Sequence, residues 1–315
     1  LNVLVLGGNG FLGSHLVDRV VELGHEVTVF DRVQPRVARN LEHLKGRIRI
    51  INGEFENRRA LRESLEGQDI VYHFIGATYP LASWKDPFIE IDLTIKNSVA
   101  MFNNAVEAGV KKVVYPSSGG TVYGRQRSPF TEETPTQPFS PYGIAKLCTE
   151  QFLNYYRDVN GIAADIYRIG NPYGPRQAVG SVQGVINIWM EAVLEGEEFL
   201  VYGDDANIRD YIYVTDVAEL MTHSLDDLGT SETFNLGTGE GVSILRLLQV
   251  FERTLDAKPK YRVLPRRPSD NISSVLNSSK LLAHFPGYRF VPLEKGIKAT
   301  WEDLKRRYRA YPDIS

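Results

Sequence analysis

The chain has 315 residues, 43% of them hydrophobic and 24% charged, which is enough apolar material for one large core or two smaller ones and argues against disorder. A net charge of −3 with no long run of one sign argues against nucleic acid or an acidic membrane surface as the main partner. No apolar run approaches the ~20 residues of a membrane span, the six histidines lack helical ligand spacing, and Cys148 is alone, so no metal site, no internal disulfide and a cytoplasmic setting are expected.

The chain opens directly on a strand-like run, NVLVLGG, with no signal-peptide pattern. Strands are expected at 2–6, 26–31, 48–52, 70–75, 112–115 and 164–169, and helices near 11–23, 57–66, 87–108 and 142–158. The strands are short continuous runs of Val, Ile, Phe and Tyr, the pattern of strands covered on both faces. Their alternation with helices predicts an α/β fold built on a doubly wound parallel sheet. After residue 170 loops lengthen and Gly and Pro punctuate, which suggests a second, smaller domain. The segment 233–239, TFNLGTG, reads as a core strand and turn. We therefore expect domains at 1–169 and 170–315, with 211–237 returning to the first. In the last helix, 293–309, Leu293, Ile297, Trp301, Leu304 and Tyr308 form one apolar stripe.

Gly7, Gly10 and Gly13, in GGNGFLG, fall where the first strand ends and the first helix begins. Glycines there permit a tight turn and close approach of a pyrophosphate, and the first helical residues, Phe11 and Leu12 among them, offer unpaired N–H groups. Asp31 ends the second strand, where a carboxylate can accept both ribose hydroxyls and repels a 2′-phosphate. That favours NAD over NADP, although Arg32 beside it could pair with such a phosphate.

In SPYGIAK, Tyr142 and Lys146 are four apart and share a helix face. An ammonium beside a phenol should lower its pKa from about 10 and make Tyr142 a usable base. Just upstream, the strand end PSSGGTVYG carries hydroxyls and then two glycines.

Together GGNGFLG, Asp31, SSGGTVYG, SPYGIAK, NPYGPRQ and VYGDDANIRDYIYVTDV resemble the extended short-chain dehydrogenase/reductase (Rossmann) family, and within it the nucleotide-sugar epimerases of the UDP-galactose 4-epimerase type. The resemblance implies an NAD site that includes Glu54 and Phe55 around the adenine, Phe74, Ile75 and Gly76 at a strand end beside the cofactor, Thr94, Ser117, Tyr142 and Lys146. It implies substrate contacts from Thr78 and from Asn171 to sugar and phosphate, Arg209 and Arg267 clamping a diphosphate, Asp270 holding a ribose, and Ser274 as a small gate beside the sugar's C2 substituent. A small gate admits N-acetylhexosamines as well as plain hexoses. The resemblance also implies a homodimer formed through segments 87–108 and 142–158, with Met101, Ala105, Leu147, Gln151 and Leu153 on the outer faces.

Two departures matter. Thr94 and Asn97 stand where the family has asparagine and glycine. Gly119 stands where it has Ser or Thr three residues before Val-Tyr-Gly, so the catalytic hydroxyl falls to Ser118 or to Thr121. Family dehydratases carry an Asp-Glu pair at the positions of Gly120 and Thr121, and without it proton abstraction at C5 lacks an agent. The expected reaction is therefore epimerisation of a UDP-hexose at C4 through a 4-keto intermediate. A reductase or dehydratase of the same fold, and an inactive NAD-binding regulator, are the alternatives.

Overall fold

The computed structural model describes residues 1–32, 38–76, 83–180, 183–266 and 272–310. The chain divides into two compact units. The first comprises Leu1–Gly124, Pro135–Ile169 and Ala218–Phe234, and the second Arg125–Thr134, Gly170–Val217 and Asn235–Ser315.

The first unit is built on strands β1 (Asn2–Leu6), β2 (Glu26–Asp31), β3 (Arg49–Asn52), β4 (Ile70–His73), β5 (Lys112–Ser118) and β6 (Ala163–Ile169). With one further strand, Glu232–Leu236, they form a seven-stranded sheet in which that strand is followed by β6, β5, β4, β1, β2 and β3. Every pairing from β3 across to β6 is parallel. β4 and β6 are buried along their whole length, as continuous apolar runs require. The strand order reverses between β1 and β4, and in such sheets a ligand crevice lies at that reversal, beyond the carboxyl ends of the strands.

Helices α1 (Phe11–Glu22), α2 (Arg58–Leu65), α3 (Lys96–Glu107) and α4 (Pro141–Asn160) cover this sheet. Met101, Phe102 and Ala105 of α3 and Leu153 of α4 are fully buried in a core with Leu4, Val71 and Tyr115. Met101, Ala105 and Leu153 are thus core residues, not the outer face that the sequence suggested. Packing against the sheet claims that side of both helices.

The single helix expected over 87–108 is two elements. A π-helical turn, Glu90–Ile95, runs into α3. Asn97 caps the widened turn from within, its Nδ2 donating to Leu93 O at 3.0 Å and Asp92 O at 3.3 Å. β5 also runs further than expected, to Ser118, because β6 pairs with it over its full length. Pro116 is tolerated there because β4 pairs only as far as Val114, so no ladder donor is missed on that side.

In the second unit, strands at Asn171–Tyr173, Gly241–Ser243 and Ser273–Ser274 all pair with the strand Ile208–Tyr213. Helices α5 (Val185–Glu195), α6 (Ile244–Thr254) and α7 (Leu293–Ala310) enclose a separate core. There Trp189 stacks on Phe199 with centroids 5.0 Å apart, and Ile297, Trp301 and Leu304 of the α7 stripe are buried. Segment 125–134, expected in the first domain, lies in this unit. Phe130 N donates to Val275 O, and Asn277 N donates back to Phe130 O at 2.7 Å, which ties the segment to 275–277.

Candidate active site

Gly7 has a φ of 76°, in the left-handed region that glycine tolerates, and its N–H donates to Phe30 O at 2.9 Å. A Cβ on Gly13 would lie 2.3 Å from Gly7 O, so the loop can close onto α1 only without a side chain there. Gly10 precedes α1 with no side-chain cap, so the first-turn N–H groups of Phe11, Leu12 and Gly13 face outward as donors. A Cβ on Gly7 would lie 3.2 Å from Ile75 N and from Phe74 C, so the end of β4 closes on the same loop. Asp31 accepts from Asn9 N at 2.8 Å and Arg32 N at 2.7 Å. Burial pushes its carboxyl up, and these two donors oppose the shift. Arg32 lies 3.7 Å from Glu54, both largely exposed, a weak pair that points the guanidinium along the surface. Phe55 is buried against His73, with ring centroids 5.1 Å apart, so its ring serves the core. Gly76 is exposed at the end of this segment.

α4 begins at Ser140, whose Oγ accepts Gly143 N at 3.1 Å, followed by Pro141 at the first helical position. Tyr142 N donates to Ser83 Oγ at 3.1 Å. One turn on, Lys146 is buried, and its ammonium donates to Pro116 O at 2.9 Å. That ammonium sits 4.8 Å from the ring centroid of Tyr115 and 5.8 Å from that of Tyr142. Burial pulls the Lys146 ammonium down to about 8, while the carboxylates of Glu90 and Glu150 hold it up. The phenol of Tyr142 moves the other way from the sequence expectation. Its surroundings in the protein interior, and Glu90, push it above its ordinary value, because both disfavour a phenolate.

The two serines at the end of β5 have separate fates, as strand alternation requires. Ser117 Oγ donates to Glu150, which Arg168 grips through Nη2 at 2.7 Å, and Arg168 Nη1 donates to Tyr123 Oη at 3.1 Å. The Ser117 hydroxyl expected at the cofactor is therefore committed to a buried network. Ser118 is half-buried, and its hydroxyl has no hydrogen-bond partner among the described residues. Its carbonyl accepts from Thr121 N at 3.2 Å and Val122 N at 3.0 Å, which folds the turn back on the strand end. Thr121 Oγ1 is buried without a partner, and its Cβ would stand 3.2 Å from a Cβ on Gly143, the residue after Tyr142. Both candidate hydroxyls thus belong to a turn whose far end meets the first turn of α4.

Thr94, expected at the cofactor, is buried and donates from Oγ1 to Glu90 Oε2 at 2.8 Å. Glu90, only 2% exposed, went unnoticed in the sequence. The signal was there: Glu90, Thr94, Ser98, Met101 and Ala105 recur at steps of four, four, three and four, the spacing of an inward helix face.

Of the expected substrate residues, Thr78, Arg267 and Asp270 lie outside the described residues. In the second unit, strand Ile208–Tyr213 brings the others into register, with Asn171 opposite Tyr211 and Ser274 opposite Arg209. Arg209 Nη1 donates to Ile208 O at 2.9 Å, and Asn171 Nδ2 donates to Asp210 O at 3.2 Å. Ser274 is buried. Among the described residues no cluster of His, Cys, Asp and Glu could hold a metal ion, and no helix is long and apolar enough to cross a membrane.

The model of the NAD dependent epimerase/dehydratase family matches residues 3–237. A UDP-glucose 4-epimerase of Mycolicibacterium smegmatis is 30% identical over 98% of this chain and 99% of its own. The crystal structure of a UDP-glucose 4-epimerase from Thermotoga maritima with UDP-glucose superposes with a TM-score of 0.87 at 32% identity, over 98% of this chain and 99% of that one. The Thermus thermophilus UDP-glucose 4-epimerase in complex with NAD gives a TM-score of 0.87 at 30% identity, over 97% and 99%.

Proposed function

The chain belongs to the NAD dependent epimerase/dehydratase family, and we propose that within it this protein inverts C4 of a nucleotide-activated hexose, UDP-glucose/UDP-galactose, with the UDP-N-acetylhexosamines as further substrates. The observation that carries the reading is the placing of Tyr142 and Lys146 on one face of α4, with Lys146 anchored to β5 just before the unpartnered Ser118 hydroxyl.

The glycine cradle fits a dinucleotide. It leaves no room for a Cβ at Gly13, and it presents the open first-turn N–H groups of α1. Those groups hold the pyrophosphate, and Asp31 accepts from the adenosine ribose. The short reach from Asp31 to Asn9 and Arg32 backbone donors keeps that carboxylate oriented, which supports NAD rather than NADP. When bound, NAD supplies a hydride acceptor that becomes a donor within the same cycle.

Tyr142 Oη takes the proton of the sugar 4-hydroxyl and later returns it. Ser118 Oγ, accessible and without another partner, donates to the 4-oxygen as a keto group forms. Lys146 keeps a positive charge beneath the phenol and holds the nicotinamide ribose. Asn171 contacts sugar and phosphate, Arg209 and Arg267 grip the diphosphate, Asp270 holds the uridine ribose, and Ser274 leaves space at C2. With Gly120 and Thr121 at the strand end, no carboxylate stands there for proton removal at C5, which favours epimerisation over dehydration.

A homodimer is part of the reading. Ile144, Cys148, Phe152, Tyr155 and Val159 run along α4 at steps of four, four, three and four, and four of them are exposed large apolar side chains. Phe88 and Ile91, at and before the π-turn, are exposed as well. A monomer seldom leaves such a stripe to water.

The test is incubation with a panel of nucleotide sugars, scored for the 4-epimer. Conversion with no net change in NADH is expected, and Tyr142→Phe is expected to lose about 10²–10⁴-fold in kcat. Net consumption of NADH, a stable keto product, or a Tyr142→Phe enzyme with near-normal turnover would overturn the reading.

A further inference from the structure

Asn9 lies in the glycine cradle, between Gly7 and the start of α1, and is buried. Its backbone is held on both sides. Asn9 N donates to Asp31 Oδ2 at 2.8 Å, and Asn9 O accepts from Asn40 Nδ2 at 2.9 Å. A peptide oxygen can only accept, so the side-chain amide of Asn40 must present its nitrogen there. The N–H of that same peptide, on Gly10, closes the turn by donating to Gly7 O at 3.1 Å.

Asn40 is set in place by its own element. Ala38–Leu44 is a short 3₁₀ helix, and at three residues per turn, side chains three apart share an edge. Leu41 and Leu44 form the buried edge. Asn40 and His43 form the next one, which meets the cradle and α1: His43 Nε2 donates to Asp18 Oδ1 at 2.7 Å. The half-buried Asn40 is thus carried on a turn that is anchored elsewhere, by two leucines and by an ion pair to α1.

We propose that Asn40 is a positioning residue for the dinucleotide: it holds the Asn9 carbonyl, keeps the Asn9 N–H on Asp31, and so fixes the carboxylate that takes the adenosine ribose. The inference rests on the NAD reading given above and on the role given there to Asp31.

The two oxygens of Asp31 have supports of different kinds. Oδ1 accepts from Arg32 N at 2.7 Å, a chain neighbour that travels with the strand end. Oδ2 accepts from Asn9 N, which belongs to the loop after β1. That second contact ties the carboxylate to the cradle, and it holds only while residue 9 keeps its orientation. Without the Asn40 amide, the peptide after Asn9 loses the donor on its oxygen and is freer to rotate. A peptide oxygen turned toward a pyrophosphate would also oppose the anion that the α1 N–H groups attract.

The test is titration of the whole chain, stripped of dinucleotide, with NAD and with NADP. Asn40→Ala should weaken NAD binding about tenfold, the worth of one hydrogen bond in a fixed network. Binding of NADP, whose 2′-phosphate Asp31 repels, should weaken far less, so the preference for NAD falls. In steady-state kinetics the loss should appear in the KM for NAD, with kcat at saturating NAD falling much less. Asn40→His, whose Nδ1 can carry a hydrogen at the same place, should restore most of the affinity. Asn40→Leu, close to asparagine in shape, serves as the second variant should the alanine not fold.

A double-mutant cycle separates this role from a merely structural one. In an Asp31→Ala background, Asn40→Ala should cost little further NAD affinity. Equal losses in both backgrounds, or equal losses for NAD and NADP, would overturn the proposal and leave Asn40 a stabilising residue of its turn. A wild-type chain that bound neither dinucleotide would instead defeat the cofactor reading, and this inference with it.

Discussion

At the scale of single residues, the Arg168–Glu150 pair is the clearest case of a charge that the fold cannot leave alone. Both are buried, and two further side chains complete the network. Arg168→Met should cost about 3–5 kcal/mol, because Glu150 would remain buried and uncompensated. Arg168→Met with Glu150→Met should recover most of that loss in chemical denaturation. The placing of Tyr142 and Lys146 on one helix, and of the glycines at the first strand-to-helix junction, was legible in the sequence because it depends on local spacing alone. Ser117 and Phe55 were not, since what commits each is a residue remote in sequence, Glu150 for one and His73 for the other. The same holds for the phenol. A neighbouring lysine is visible four residues away, but the enclosing protein and Glu90, which outweigh it, come from the tertiary fold.

At the scale of elements, α4 carries both proposed catalytic groups and starts just ahead of the first of them. Ser140 accepts the N–H of Gly143 and so fixes the turn that aims Tyr142. Ser140→Ala should lower stability by about 1 kcal/mol. It should also lower kcat more than it raises KM, since a frayed first turn disperses the phenol without touching the sugar contacts. Denaturation and steady-state kinetics on the one variant check both. The strands were readable to within a few residues because a buried parallel strand has little freedom in composition. Segment 87–108 was readable only as helical. A π-turn adds a residue without breaking the apolar rhythm, so it leaves almost no mark in the sequence.

At the scale of the whole molecule, two compact units were foreseeable from the change in texture near residue 170, but their borders were not. Segment 125–134 is held by hydrogen bonds to residues some 145 positions later, for which no local pattern exists. Self-association also belongs to this scale. A carboxylate placed on the α4 stripe by Phe152→Glu or Val159→Glu should convert the proposed dimer to a monomer in light scattering, with the secondary structure unchanged. A particle that is already monomeric in the wild type would remove the dimer from the account.

The widened turn at Glu90–Ile95 also constrains how this chain could change. In an unbroken α-helix an extra residue would advance every later position by about 100°. The widened turn takes that residue up locally, and Met101, Phe102 and Ala105 stay seated against the sheet. Deleting one residue inside the turn should return it to regular winding and leave all three in place. A deletion further along α3 would swing whatever follows it away from the core. The turn is thus the one stretch of this segment where the length of the chain can change without unseating the helix.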